Sequence, residues 1–160
     1  MATSQTALTA LSPLDGRYSA KLTELASIFC DVALTKNRVM VEVEYLIFLA
    51  SKKMIPRFSV AQKQQLRSMV AKFSLAETLE IQQLEKQTKH DVKAIEYYLR
   101  AYLKKHDLPN ESAVHLGLTS EDVNALAYGL MIQQGKEVLE TSYRHSCASW
   151  QISHNAPSPS

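Results

Sequence analysis

Gln87-Thr88-Lys89-His90-Asp91-Val92-Lys93-Ala94-Ile95-Glu96-Tyr97-Tyr98-Leu99-Arg100 passes from a polar turn straight into an amphipathic helix. Val92, Ile95, Leu99 and Tyr102 recur at helical spacing and give one apolar face. Thr88 and Asp91 stand at the spacing of a capping box, which places the helix start at Thr88 and His90 in the first turn. Unpaired N–H groups and the positive end of the helix dipole suit an anion there, and an imidazole can donate or move a proton. A capped surface helix that happens to carry a histidine has the same sequence.

Upstream, the same periodicity repeats. Ser12-Pro13-Leu14-Asp15-Gly16-Arg17-Tyr18 reads as a turn, with Pro13 fixing φ and Gly16 free to be left-handed. Arg17 offers a planar fork of donors that fits a phosphate or carboxylate, and Tyr18 adds a hydroxyl. A solvated surface turn accounts for both residues equally. Helical spacing begins at Ser19, with Leu22, Leu25, Ala26 and Phe29 on one face. A longer helix is expected over about 32–53, with Val39, Val43, Leu46, Ile47 and Ala50 inward, Glu42 and Glu44 outward, and Pro56 ending it. Ser59 opens a helix over about 60–72 with Leu66, Val70 and Phe73 inward, and Ser74 with Glu77 boxes the start of another through about Gln87.

Downstream, the 91–106 helix gives way to Asp107-Leu108-Pro109-Asn110. His115-Leu116-Gly117-Leu118-Thr119-Ser120-Glu121-Asp122 follows, with a turn at Gly117 and capping-box spacing between Thr119 and Asp122. The helix it opens shows Val123, Leu126, Ala127, Leu130 and Val138 and is expected to reach about Tyr143. Capping explains one of the two hydroxyls and leaves the other, with His115, unassigned. Residues 144–160, rich in Ser and Pro at the end, read as an irregular or disordered tail, and residues 1–11 as a loose lead-in.

Composition narrows the class. Four glycines and five prolines in 160 residues favour long helices. A net charge of +2 without a basic block gives no electrostatic case for nucleic acid or an anionic membrane. Two distant cysteines, Cys30 and Cys147, suit a reduced, cytoplasmic setting and make neither a disulfide framework nor a thiolate metal site. His145, Cys147 and His154 lack metal-site spacing. The first residues lack the charged and apolar parts of a signal peptide.

Taken in order and at their separations, the 12–18, 88–94 and 115–122 segments closely resemble the adenylosuccinate lyase family of the fumarase/aspartase superfamily, over nearly all of residues 8–140. The resemblance implies an all-α fold. Residues 1–112 would be the N-terminal helical domain and 113–143 the start of a central long-helix bundle, in a homotetramer. It implies β-elimination of fumarate from adenylosuccinate, giving AMP, and from the succinyl-carboxamide ribotide, without cofactor or metal. It matches Arg17 and Tyr18 to nucleotide-phosphate contacts. Lys89, His90 and Asp91 match a substrate-binding run, with His90 orienting substrate and stabilising charge. Thr119 and Ser120 match hydroxyls that hold a succinyl carboxylate, with His115 near the same loop. Lys89 is a departure, since members often carry Asn there.

The family's general-acid histidine and general-base serine belong to later segments, and neither a Thr-His-Gly-Gln-type nor a Ser-Ser-x-x-Pro-His-Lys-type motif occurs in these 160 residues. Each positioned acid or base contributes about 10²–10⁴-fold, so the chain alone is expected to be inactive. The alternative reading is a non-enzymatic helical module that associates with other subunits.

Overall fold

The protein is described by a computed structural model over residues 8–154. Among these residues it is all-helical: six α-helices, two short 3₁₀ turns and no strand. Residues 1–7 of the expected 1–11 lead-in and residues 155–160 of the expected tail lie outside the described residues.

One compact unit runs from Cys30 to Met131. It holds α2 (Asp31–Ser51), α3 (Val60–Ala71), α4 (Leu75–Thr88), α5 (Asp91–Lys105) and the start of α6 (Ser120–His154). The expected stripe of α2 is inward: Val39, Val43, Leu46, Ile47 and Ala50 pack with Leu66 and Val70 of α3, Ile81 of α4, and Ile95, Leu99 and Leu103 of α5. Each fully buried Leu or Ile is worth about 1.5–3 kcal/mol over its exposed state. A smaller cluster of Val41, Val92 and Val123 ties α2 to the first turns of α5 and α6. That cluster fixes where the two helix starts sit.

The helix ends follow local chemistry. Ser74 with Glu77 forms a complete capping box, as its spacing indicates, and Ser59, expected as a cap alone, forms one with Gln62. Pro56 does not end α2. The helix stops at Ser51 and the chain turns at Lys53, whose φ is 62°. Glu44 is exposed, as expected, and pairs with Arg67 through two 2.8 Å contacts. Glu42 is a correction: it is buried, at 1% exposure, one turn below Arg38 and beside the apolar stripe. Buried Glu96 is neutralised by its own helix, accepting from Lys93 and Arg100 at 2.7 Å each.

On α6 the inward series is Val123, Ala127 and Met131, spaced by four. Leu126, expected inward, is 58% exposed. It lines an open apolar groove of about 470 Å³ with Met40, Tyr45, Phe48, Leu118 and Leu130.

The described residues up to Phe29 and from Ile132 form the other unit. A 3₁₀ turn (Ser19–Lys21) precedes α1 (Thr23–Phe29). The Phe29 ring lies on α6 at Gly135, where a Cβ would come within 2.5 Å of Cζ. Residues 144–154 continue α6 and are not an irregular tail. Their Ser-rich composition weakens helix propensity without breaking it, since none of them is Gly or Pro. Gly16 is another correction: it is buried and has no positive φ, so the 12–18 turn closes on backbone bonds from Asp15 and Gly16 to the Ser12 carbonyl and from Tyr18 to that of Pro13.

Candidate functional site

The starts of α5 and α6 meet through side chains. α4 ends at Lys89, whose φ of 55° turns the chain sharply. His90 is then extended and becomes the N-cap of α5. The expected cap, Thr88, is the last residue of α4. Its hydroxyl instead braces the turn, donating to the His90 carbonyl at 3.0 Å and accepting from the His90 N–H at 3.3 Å. The cap is therefore His90 in place of Thr88, while the helix starts at Asp91, where the expected 91–106 span puts it.

His90 Nδ1 accepts from the Lys93 N–H at 3.3 Å, and Nε2 stands 3.4 Å from Ser120 Oγ. In the neutral ring an accepting Nδ1 leaves the proton on Nε2. Nε2–H then donates to Ser120, whose own hydroxyl proton stays available. Ser120 is the first residue of α6. Two residues singled out from distant parts of the sequence are thus brought together at two helix N-termini, where oriented N–H groups favour an anion.

Their neighbours are occupied otherwise. Asp91 Oδ1 accepts from the Val92 N–H at 2.8 Å and Oδ2 pairs with Arg38 at 2.8 Å, so its carboxylate is used in holding the helix start. Thr119 and Asp122 form a reciprocal cap: Asp122 Oδ2 accepts from the Thr119 N–H at 2.7 Å and from its hydroxyl at 2.8 Å, and the Asp122 N–H donates back at 3.3 Å. These bonds hold the Asp122 carboxyl below the usual carboxylate range. Lys89 is exposed beside Gln82, Glu85 and Lys86 on the α4 side. His115, in the left-handed region at φ 65°, binds Glu42 through Nδ1. Burial pushes the Glu42 carboxyl up, and the bond to His115 opposes that shift.

Arg17 and Tyr18 belong to the other unit. Both are exposed, with the Arg17 guanidinium 5.9 Å from the Tyr18 ring centre.

Two residues escaped the sequence reading. Arg38 reaches Asn124 Oδ1 at 2.9 Å as well as Asp91, and so clamps α2 to both helix starts. Glu42 lies four residues on, beneath His115. The available signal was polar residues at 38 and 42 flanking the apolar positions 39 and 43, a helical spacing that puts charge beside the core. Among the described residues no group of three or more His, Cys, Asp or Glu is placed to hold a metal, and no helix is long and apolar enough to cross a membrane.

No family model matches the chain. It is 40% identical over 134 residues to an adenylosuccinate lyase of Legionella pneumophila, covering 81% of this chain and 29% of that protein. An adenylosuccinate lyase of Haemophilus influenzae is 43% identical over 135 residues, covering 81% and 30%. One of Escherichia coli is 39% identical over 143 residues, covering 85% and 31%. The chain spans about three-tenths of the length of these curated relatives.

Proposed function

The chain is homologous to the N-terminal part of the adenylosuccinate lyases, and on that premise we propose that it builds part of the substrate cradle of such a lyase. The reaction is β-elimination of fumarate from adenylosuccinate, giving AMP, and from the succinyl-carboxamide ribotide. The observation that carries the reading is the 3.4 Å approach of His90 Nε2 to Ser120 Oγ at two facing helix starts. Ser120 offers a hydroxyl and α6 its first N–H groups to a succinyl carboxylate, while His90 orients the substrate and steadies developing negative charge. Arg17 and Tyr18 serve the nucleotide phosphate, and Lys89 adds positive charge at the end of α4. Thr119 and Asp91 act through the caps and the ion pair that set these positions. Elimination needs a general acid and a general base, and these 160 residues supply binding groups without that pair. The setting is cytoplasmic, without cofactor, and the intact enzyme is a homotetramer.

The test is direct. AMP with fumarate, added to ¹⁵N-labelled chain, should shift the amide signals of His90 and Ser120, while adenylosuccinate should yield no fumarate. Unmoved signals at millimolar ligand would sink the cradle, and appreciable turnover would sink the division of labour. The second reading, a helical module acting by association with other subunits, draws on the exposed groove around Phe48 and Leu126. Sedimentation separates it, because a module of that kind should self-associate or bind intact lyase without responding to AMP.

A further inference from the structure

The site just proposed makes no use of Glu42, yet Glu42 sits where a carboxylate is hardest to keep. It is 1% exposed on α2, flanked by Val39, Val43 and Leu46. Oε1 is bound to His115 Nδ1, and Oε2 is buried without a hydrogen-bond partner. An unpartnered buried oxygen destabilises the fold, and a leucine would suit the surrounding stripe better. A second local penalty stands across the bond. His115 has a φ of 65°, a region that non-glycine residues enter only at a cost. Two unfavourable features meet in one contact, and strained or desolvated groups of this kind gather where a side chain must be aimed.

The aim can be read from the ring. A carboxylate on Nδ1 fixes both the tautomer and the rotation of an imidazole. With Nδ1 held inward, Nε2 at the opposite edge is the atom left to act outward. The His115 side chain is 18% exposed, and it precedes the Thr119–Ser120 helix start by only a short turn through Gly117.

We propose that Glu42 is a positioning residue: it holds His115 with Nδ1 protonated and turned inward, so that Nε2 is presented to the ligand of the α6 N-terminus. The proposal rests on reading that helix start as a cradle for a succinyl nucleotide. It makes His115 a direct ligand contact and gives Glu42 no contact of its own.

The test reads the ring itself. In the full 160-residue chain with ¹⁵N-labelled histidine rings, two-bond proton–nitrogen spectra report which ring nitrogen carries the proton. The His115 signal is identified by its loss in His115→Gln. The native chain should show Nδ1 protonated, and Glu42→Leu should return His115 to the ordinary mixture of tautomers. If Glu42→Leu does not fold, Glu42→Asp, still charged but one methylene too short, should give the same change. A native ring with Nδ1 bare, or an unchanged ring in the variant, overturns the proposal. AMP with fumarate should then move the His115 Nε2 resonance of the native chain, and the variant should need at least about tenfold more ligand. If the ligands move His90 and Ser120 while His115 stays a tautomer mixture, the Glu42 proposal fails and the cradle stands. If Nδ1 is protonated but the ligands move nothing, the cradle fails and takes the presentation of Nε2 with it.

Discussion

Arg38 and Asp91 form a 2.8 Å ion pair that joins the middle of α2 to the first residue of α5. The same guanidinium donates to Asn124 at 2.9 Å, so one side chain spans three helices. Arg38→Met should therefore do more than remove a surface charge. We expect a loss of about 1–3 kcal/mol, the cost of stranding hydrogen-bonded groups, moderated because Asp91 is partly solvated. Arg38→Lys should recover little, since an ammonium cannot make both contacts in the same fork. Urea titration checks the magnitude, and the His90 and Ser120 amide shifts should change with it.

The capping carboxylates set an acid limit. Hydrogen bonds from Ser74 hold Glu77, and those from Thr119 hold Asp122, below their ordinary values of 4.5 and 3.8. Between the lowered folded values and the ordinary ones these groups bind fewer protons folded than unfolded, so their stabilisation is complete above the ordinary values. It is lost as pH falls through the lower folded values. Ser74→Ala and Thr119→Ala should each cost about 1 kcal/mol near neutrality. Each should also flatten the acid limb of a stability–pH curve, and a parallel limb would show that the caps do not form in solution.

Glu42 acts with the opposite sign. Its carboxyl is raised above 4.5 by burial. The folded state therefore holds the proton at pH values where the unfolded state has released it. Stability contributed by this group is present below the ordinary value and declines as pH rises through the folded one. Subtracting the Glu42→Gln curve from the native curve should isolate that decline on the side of pH 4.5 where the raised carboxyl gives up its proton. Two superimposable slopes would mean the carboxyl is better solvated than its surroundings indicate.

Gly135 and Phe29 give a test confined to the other unit. A helical glycine replaced by alanine usually gains about 1 kcal/mol of helix propensity. Here the new methyl would lie 2.5 Å from Phe29 Cζ, so the ring must leave its place. Gly135→Ala should lower stability in the native background and raise it once Phe29→Ala is present. Additive effects in the four-member cycle would show that the ring does not rest there.

Much of this fold was legible because apolar periodicity survives burial. The stripes at 39–50, 66–73 and 92–99 were readable from spacing, as were the Ser59, Ser74 and Thr119 caps, the last two by the acid three residues on. The misses have local causes. Thr88 and Asp91 have capping-box spacing, yet the left-handed turn at Lys89 handed the cap to His90. Nothing in the spacing reveals that backbone angle. Glu42 was placed outside because charge is normally solvated, and only a partner 73 residues away made its burial tolerable. Leu126 was placed inside because the helix was assumed to be covered on a broader face than Val123, Ala127 and Met131 supply. The meeting of His90 with Ser120 was expected from the ordered motifs rather than from any pairwise signal. The roles of Arg17, Tyr18 and Lys89 still rest on that likeness.

His90 carries a constraint of its own. Its Nδ1 terminates the α5 backbone by accepting the Lys93 N–H. An imidazole that takes a proton on that nitrogen can no longer accept, so charging the ring would release the first turn of the helix that aims it. With Nδ1 committed in this way the neutral ring keeps its proton on Nε2, so toward Ser120 this histidine is a fixed donor and not a base.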